Sequence, residues 1–433
     1  MTSTTLLYDK FLTCSGVSTD TRQITPNCLF IALRGDRFNA NEFARQALAT
    51  GAAYALVDDP AVATTDPRCL LVADTLTALQ DLARHHRRQF SCPVIGLTGS
   101  NGKTTTKELI ASVLSRRYVT EFTSGNLNNH IGVPLTLLRI NPATCQMAVV
   151  EMGANHQEEI AMLSRICEPT HGLITNIGKA HLEGFGGLAG VRKGKGELFD
   201  YLSETGGTVF INAQNETLTA MHTERTFSHT VFYLVDNQPE LLLETPVAVY
   251  RTAAGMTIET HLPGRYNFEN IAAALAIGAY FDVPEADANA AVAEYNPTNN
   301  RSQVVVKGTN TILLDAYNAN PSSMAATIQQ FGQQVGNGPA PRRAVLLGDM
   351  YELGDESIAE HAALGMLVAR QEFDLVILAG KDMKYALPAL PNAYYFPDKF
   401  SLHNWIADNP MTNTHWLIKG SRGMGLESVV PFI

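Results

Sequence analysis

Residues 98–110 read TGSNGKTTTKELI and follow the apolar run PVIGL. Small residues ending in Gly102, Lys103 and Thr104, between a strand-like and a helix-like pattern, suit the binding of a phosphate. The span Gly99, Ser100, Asn101, Gly102, Lys103, Thr104 and Thr105 would aim backbone N–H groups at phosphate oxygens, helped by the positive end of the helix dipole. Lys103 would bridge the outer phosphates, and the Thr104 hydroxyl would ligate Mg²⁺. The general loop pattern asks for glycine at position 97, which is Leu; Gly96 and Gly99 stand nearby instead. The competing reading is an ordinary glycine turn ahead of a helix. The loop implies a nucleoside triphosphate and leaves open whether it drives motion, works a switch or forms a bond.

The elements that must position this loop fall into three sections. A chain of 433 residues exceeds one compact core. In residues 1–90, β-like pieces (CLFIAL, AAYALVDD, CLLVAD) alternate with helical ones, the last (TLTALQDLARHHRRQF) amphipathic and fit to connect domains. Residues 91–300 hold the loop and the strand-like runs MAVVEMG, HGLITNIG and GTVFINA. Residues 301–433 restart the alternation with NTILLDAYNANP, RRAVLLGDM, FDLVILAG and THWLIKGSRG, after the Asn- and Pro-rich joint EYNPTNNRS. Such alternation predicts α/β domains with mainly parallel sheets. The net charge of −10 argues against a nucleic-acid surface. None of the six cysteines falls in a CxxC pair, so neither zinc site nor disulfide framework is expected. The N-terminal residues lack the apolar core of a secretory leader, and no run is long enough to span a membrane. A soluble cytoplasmic chain is the expectation.

The loop resembles that of the Mur ligases and of their folylpolyglutamate synthetase cousins. The similarity extends in order through STDTRQITPNCLFIALRGDRFNANEFARQAL, SGNLNNHIGVPLTLL, VVEMGANHQEEI, TNIGKAHLEGFG, KGKGELF, LPGRYNFENIAAALA, NRSQVV, LLDAYNANPSSM and LLGDMYELG. Two of these, DAYNANPSSM and GDMYELG, resemble the branch that adds D-alanyl-D-alanine to UDP-N-acetylmuramoyl-tripeptide. The resemblance implies a small N-terminal α/β domain for the UDP-sugar (1–90), a central ATP-binding domain (91–300) and a C-terminal Rossmann-like domain for the dipeptide (301–433). It implies ATP and Mg²⁺, no nucleic-acid or membrane partner, and a monomer. Glu151 and His181 match metal ligands of the family, His181 serving a second ion. Lys195 matches, by its spacing to Phe199, a lysine that CO₂ converts to a metal-binding carbamate. Asn129 falls where siblings contact the nucleotide-sugar near the reacting carboxylate, and Asp20, Arg22 and Gly35 lie in stretches resembling the UDP-sugar pocket.

These residues also have readings of their own. A carboxylate resists attack by an amine until it receives the γ-phosphoryl group of ATP as an acyl phosphate. Two anions must then be pressed together, which demands cations between them. Glu151 ends MAVVE, where a strand would deliver a carboxylate beside the phosphates, although strand-end Glu is commonly solvated and a lone His such as His181 is commonly structural. Asn267 and Asn270 offer the donor and acceptor that adenine presents a match for, or else cap a helix. Arg301 could hold a phosphoryl group with its planar fork, and Asp315 a ribose. Asn318 and Asn320 suit a zwitterionic dipeptide, or an ordinary turn before Pro. Arg22 could equally be a surface ion-pair partner. RHHRR (84–88) reads as an exposed helix end rather than a metal site. Since Arg301 and Asp315 lie outside the loop's section, the site is complete only when sections close, which would shield an acyl phosphate from water. A sibling amide ligase, or a phosphate-loop switch, stays open as an alternative.

Overall fold

The computed structural model describes residues 1–35, 37–237, 239–333 and 342–433. Its central sheet has six strands, in the order His229–Tyr233, Thr208–Asn212, His171–Ile174, Val94–Thr98, Met147–Glu151, Thr120–Phe122. All neighbours are parallel. Val94–Thr98, Met147–Glu151 and Thr208–Asn212 are buried along their whole length, as strands covered on both faces must be. Ile95 and Leu97 pack with Leu109 and Ile271 on one face. Val94 joins Leu163 and Leu198 on the other. The apolar runs read from sequence are these strands. The sequence reading missed the edge strands Thr120–Phe122 and His229–Tyr233, and the antiparallel sheet Glu240–Leu243, Val249–Arg251, Thr257–Glu259. Those segments mix polar and apolar residues and are only half-buried.

The N-terminal section is a parallel sheet of Val17–Ser18, Leu29–Ile31, Tyr54–Val57 and Cys69–Leu71. It leads into the helix Thr75–Arg87, capped by Asp74, whose side chain accepts from the Thr77 N–H at 2.7 Å. This helix packs on Gly132–Arg139 and Glu159–Cys167 of the central domain. Its end corrects the expectation of an exposed RHHRR. His86 and Arg87 are buried: the His86 Nε2 lies 2.8 Å from the Ile140 carbonyl, and Arg87 donates to the carbonyls of Cys167 and Glu168 at 2.8 and 2.7 Å. The basic run docks one domain on the next.

In the C-terminal section the order is Gln303–Lys307, Asn310–Asp315, Thr414–Lys419, Arg342–Gly348, Leu375–Ala379, Tyr394–Phe396, with only the first pair antiparallel. The four strands expected here are present; the hairpin partner Gln303–Lys307 was not foreseen. Both main sheets turn their carboxyl edges toward the same cleft. That edge, where loops leave parallel strands, is where such folds bind ligands.

Candidate active site

Lys103–Leu114 begins straight after the loop, and Gly102 takes a left-handed φ of 78° at its N-cap. A Cβ on Gly102 would meet the Asn270 Oδ1 at 2.6 Å, and one on Gly99 the Thr175 Oγ1 at 2.0 Å. Glycine is therefore required at both. The loop is pinned from behind: Asn176 accepts the Asn101 N–H at 3.0 Å, and the Thr175 hydroxyl donates to the Asn101 carbonyl at 2.6 Å. The Lys103 ammonium donates to the carbonyls of Gly99 and Ser100 at 2.7 and 3.2 Å. Burial lowers its pKa to about 8, Glu151 opposing and Arg301 adding to the drop.

Glu151 ends the neighbouring strand and is buried. Its Oε1 accepts from the Thr104 hydroxyl at 3.2 Å and from the Asn128 amide at 2.8 Å, while Oε2 is buried without a hydrogen bond. An orphaned carboxylate oxygen beside a helix-start hydroxyl fits a Mg²⁺ ion. No cluster of three or more His, Cys, Asp or Glu suited to a metal occurs among the described residues.

His181 follows the strand His171–Ile174, and its Nδ1 meets the carboxylate of Glu352 from the C-terminal section. Contact with His181 holds the Glu352 carboxyl below its ordinary range. A carboxylate on one ring nitrogen fixes the tautomer and leaves Nε2 for a metal, the usual pairing behind histidine ligands. Lys195 lies in the helix Leu188–Thr205, only 1% exposed, donating to the Ala154 carbonyl at 3.0 Å, with its Nζ 4.9 Å from the Phe185 ring centroid. Among the described residues no carboxylate forms an ion pair with it. Burial, and next the Lys103 charge, push its pKa well below the ordinary value, against the pull of Glu159 and Glu197.

Across the cleft, the Arg301 guanidinium stacks 3.6 Å above the Tyr317 ring, its Nε buried and unpartnered. Asp315 and Lys419 are register partners on adjacent strands and form an ion pair. Asp315 also accepts from the Ser302 N–H at 3.1 Å. The sections touch directly: Asn320 donates to the Asn101 side chain at 2.7 Å, the Lys179 N–H donates to the Ser322 hydroxyl at 2.9 Å, and Lys179 pairs with Glu360.

One cleft of about 610 Å³ gathers Ser100, Asn101, Gly102, Lys103, Thr105, Asn129, Glu151, His181, Asn267, Asn270, Arg301, Asp315, Asn318 and Asn320. Gly99 and Thr104 lie in the loop itself, and Lys195 reaches the wall through Ala154. Several asparagines are structurally engaged. Asn320 caps Pro321–Gly332, and Asn129 accepts the Gly132 N–H at 2.8 Å. Asn318 accepts the Ala319 N–H at 2.9 Å. Asn270 takes the Thr106 hydroxyl at 3.0 Å and donates to Asn267 at 3.3 Å, while Asn267 donates to the Pro263 carbonyl at 2.8 Å. The residues Asp20, Arg22 and Gly35 are not brought to this cleft. Asp20 and Arg22 pair with each other at 2.7 Å at the surface, and Gly35 sits in a short hairpin. The sequence reading missed Asn128, Lys107, Tyr317 and Glu352, although each lies within a stretch quoted for the family resemblance.

The fold and site define a Mur ligase. Family models match in succession: the Mur ligase family catalytic domain at residues 13–87, the Mur ligase middle domain at 97–278, and the Mur ligase glutamate ligase domain at 300–422. The UDP-N-acetylmuramoyl-tripeptide–D-alanyl-D-alanine ligase of Escherichia coli is 37% identical, over 97% of this chain and 93% of its own length. The Bacillus subtilis enzyme of the same name is 35% identical, over 96% and 92%. A crystal structure of MurF from Acinetobacter baumannii superimposes with a TM-score of 0.83 at 33% identity, covering 96% of this chain and 92% of that one. This chain belongs to the family of UDP-N-acetylmuramoyl-tripeptide–D-alanyl-D-alanine ligases.

Proposed function

We propose that this chain is the ATP-dependent ligase that joins D-alanyl-D-alanine to UDP-N-acetylmuramoyl-tripeptide, giving the pentapeptide precursor of peptidoglycan. The observation that carries this reading is the single cleft in which the phosphate loop and Glu151 of one domain face Arg301, Asp315 and the Asn318–Asn320 turn of the next. A carboxylate oxygen of the tripeptide attacks the γ-phosphorus and ADP leaves. The amine of D-alanyl-D-alanine then attacks the acyl carbon, loses its proton, and inorganic phosphate departs with the former carboxylate oxygen. Lys103 and Arg301 hold the phosphoryl group between the two anions. Asn267, Asn270 and Asp315 seat the nucleoside, with the Asp315 carboxylate oriented by Lys419. Asn129 guides the tripeptide carboxylate, and Asn318 and Asn320 the dipeptide.

Thr104 and Glu151 would hold one Mg²⁺, and His181 with a carbamylated Lys195 a second; bound there, the ions neutralise charge on the phosphates and the acyl oxygen. A buried lysine with no carboxylate partner is the amine most able to add CO₂. Residues 1–90 carry the UDP-sugar pocket, with Asp20, Arg22 and Gly35 the candidates. Residues 91–300 bind ATP and residues 301–433 receive the dipeptide. Because ATP and UDP-activated sugars are cytoplasmic, we place the protein there, acting as a monomer. Among the described residues no helix is long and apolar enough to cross a membrane.

Full-length relatives at 35–37% identity carry the D-alanyl-D-alanine-adding name, which favours this branch over a sibling ligase. ADP release measured with each substrate omitted in turn separates the readings. Release should need UDP-N-acetylmuramoyl-tripeptide and reach its full rate only with D-alanyl-D-alanine. A switch would hydrolyse ATP regardless of both.

A further inference from the structure

Lys107 stands one turn beyond Thr104 on the phosphate-loop helix, and its side chain is 0% exposed. Its Nζ lies 3.9 Å from Glu151 Oε2 and 3.6 Å from Glu108 Oε1, hydrogen-bonding neither. Glu151 Oε2 is also without a hydrogen bond. A buried ammonium is costly and persists only where a counter-charge needs it; an apolar side chain would fill the same space with no such cost. Glu108 is held from elsewhere: it accepts the Tyr295 hydroxyl at 2.6 Å and the Asn299 amide at 3.1 Å, both from the joint that leads to Arg301. The ammonium therefore sits between two carboxylates, one at the metal site and one anchored to the interdomain joint.

We propose that Lys107 is a positioning residue that acts as a place-holding cation. It balances Glu151 while the site lacks metal, discourages uptake of a divalent ion by the nucleotide-free protein, and shifts toward Glu108 when nucleotide phosphates bring the ion in. This rests on Glu151 being a metal ligand. Sequence spacing could not reveal it, because a lysine in KTTTKELI reads as an exposed helix residue until its burial is seen.

The test is Mn²⁺ binding to the full chain, followed by electron paramagnetic resonance of the free ion, with and without a non-hydrolysable ATP analogue. Without nucleotide, Lys107→Met should bind Mn²⁺ about tenfold more tightly than the unaltered protein, since a positive charge beside the ligand has gone. With the analogue present, Glu108→Gln should bind Mn²⁺ about threefold more weakly, since the ammonium loses its alternative partner. The two effects have opposite sign, which lost packing alone would not produce. Affinities of Lys107→Met no tighter than the unaltered protein overturn the proposal; should that variant not fold, an unchanged Glu108→Gln does so. If the unaltered protein takes up no Mn²⁺ even with the analogue, the metal-ligand reading of Glu151 falls and the proposal with it. If it does and the variants match it, the role of Lys107 alone falls.

Discussion

Lys195, the lysine proposed to carry the carbamate, makes the sharpest demand at the scale of single residues. It is buried, donates to a backbone carbonyl, is pushed toward the neutral amine, and forms no ion pair among the described residues. Lys195→Ala should abolish turnover, and short carboxylic acids diffusing into the vacated space should restore part of it. Steady-state rates with and without acetate check this; full activity of the alanine variant would remove Lys195 from the site. Arg301 and Tyr317 show how a residue's neighbours decide its readiness. The ring beneath the guanidinium fixes its plane without neutralising it, so the charge stays available for a phosphoryl group.

Elements position these residues, and two of them make measurable demands. Arg87, at the end of Thr75–Arg87, satisfies two backbone carbonyls of the central domain. Arg87→Ala leaves those acceptors unpaired and should cost about 2–3 kcal/mol, read as a lowered midpoint of thermal unfolding. His171 opens the strand that leads to His181, among the rings of Phe210, Tyr280 and Phe281. Burial, and next the charge of His229, lower its pKa from 6.5 to about 4. The unfolded chain therefore binds more protons than the folded one between these values, so stability present above pH 6.5 is lost as pH falls toward 4. His86, lowered by burial, acts in the same direction. Urea midpoints measured across that window should fall with pH, and fall less steeply in His171→Phe.

What was legible in the sequence followed the same division. The loop, Glu151 at a strand end and Asp315 at another are local signals: an apolar run names the strand, and the strand's end names the edge. The contacts Glu352–His181, Tyr317–Arg301 and Lys107–Glu151 are not local. Their partners are far apart in the chain or, for Lys107, hidden by a helix face whose burial depends on tertiary packing. The basic run at 84–88 misled for the same reason, since its partners are carbonyls of another domain.

For the whole molecule, the polar contacts between the central and C-terminal domains, among the described residues, are scattered single pairs: Asn320 with Asn101, Lys179 with Ser322 and Glu360, Glu352 with His181 and Glu183, and, beside the joint, Ser302 with Tyr266 and Asn267. Interfaces of this kind permit domain motion. The radius of gyration from small-angle scattering should fall when an ATP analogue and UDP-N-acetylmuramoyl-tripeptide are both added; no fall would mean that the domains are already closed before substrates arrive. The central claim is that the cleft transfers a phosphoryl group onto a peptide carboxylate. Tripeptide substrate carrying ¹⁸O in its reacting carboxylate, turned over with ATP and D-alanyl-D-alanine, tests it most directly by mass spectrometry of the released phosphate. Phosphate bearing one ¹⁸O atom from the peptide is the predicted result. Unlabelled phosphate, formed at the same rate as the amide, would contradict it.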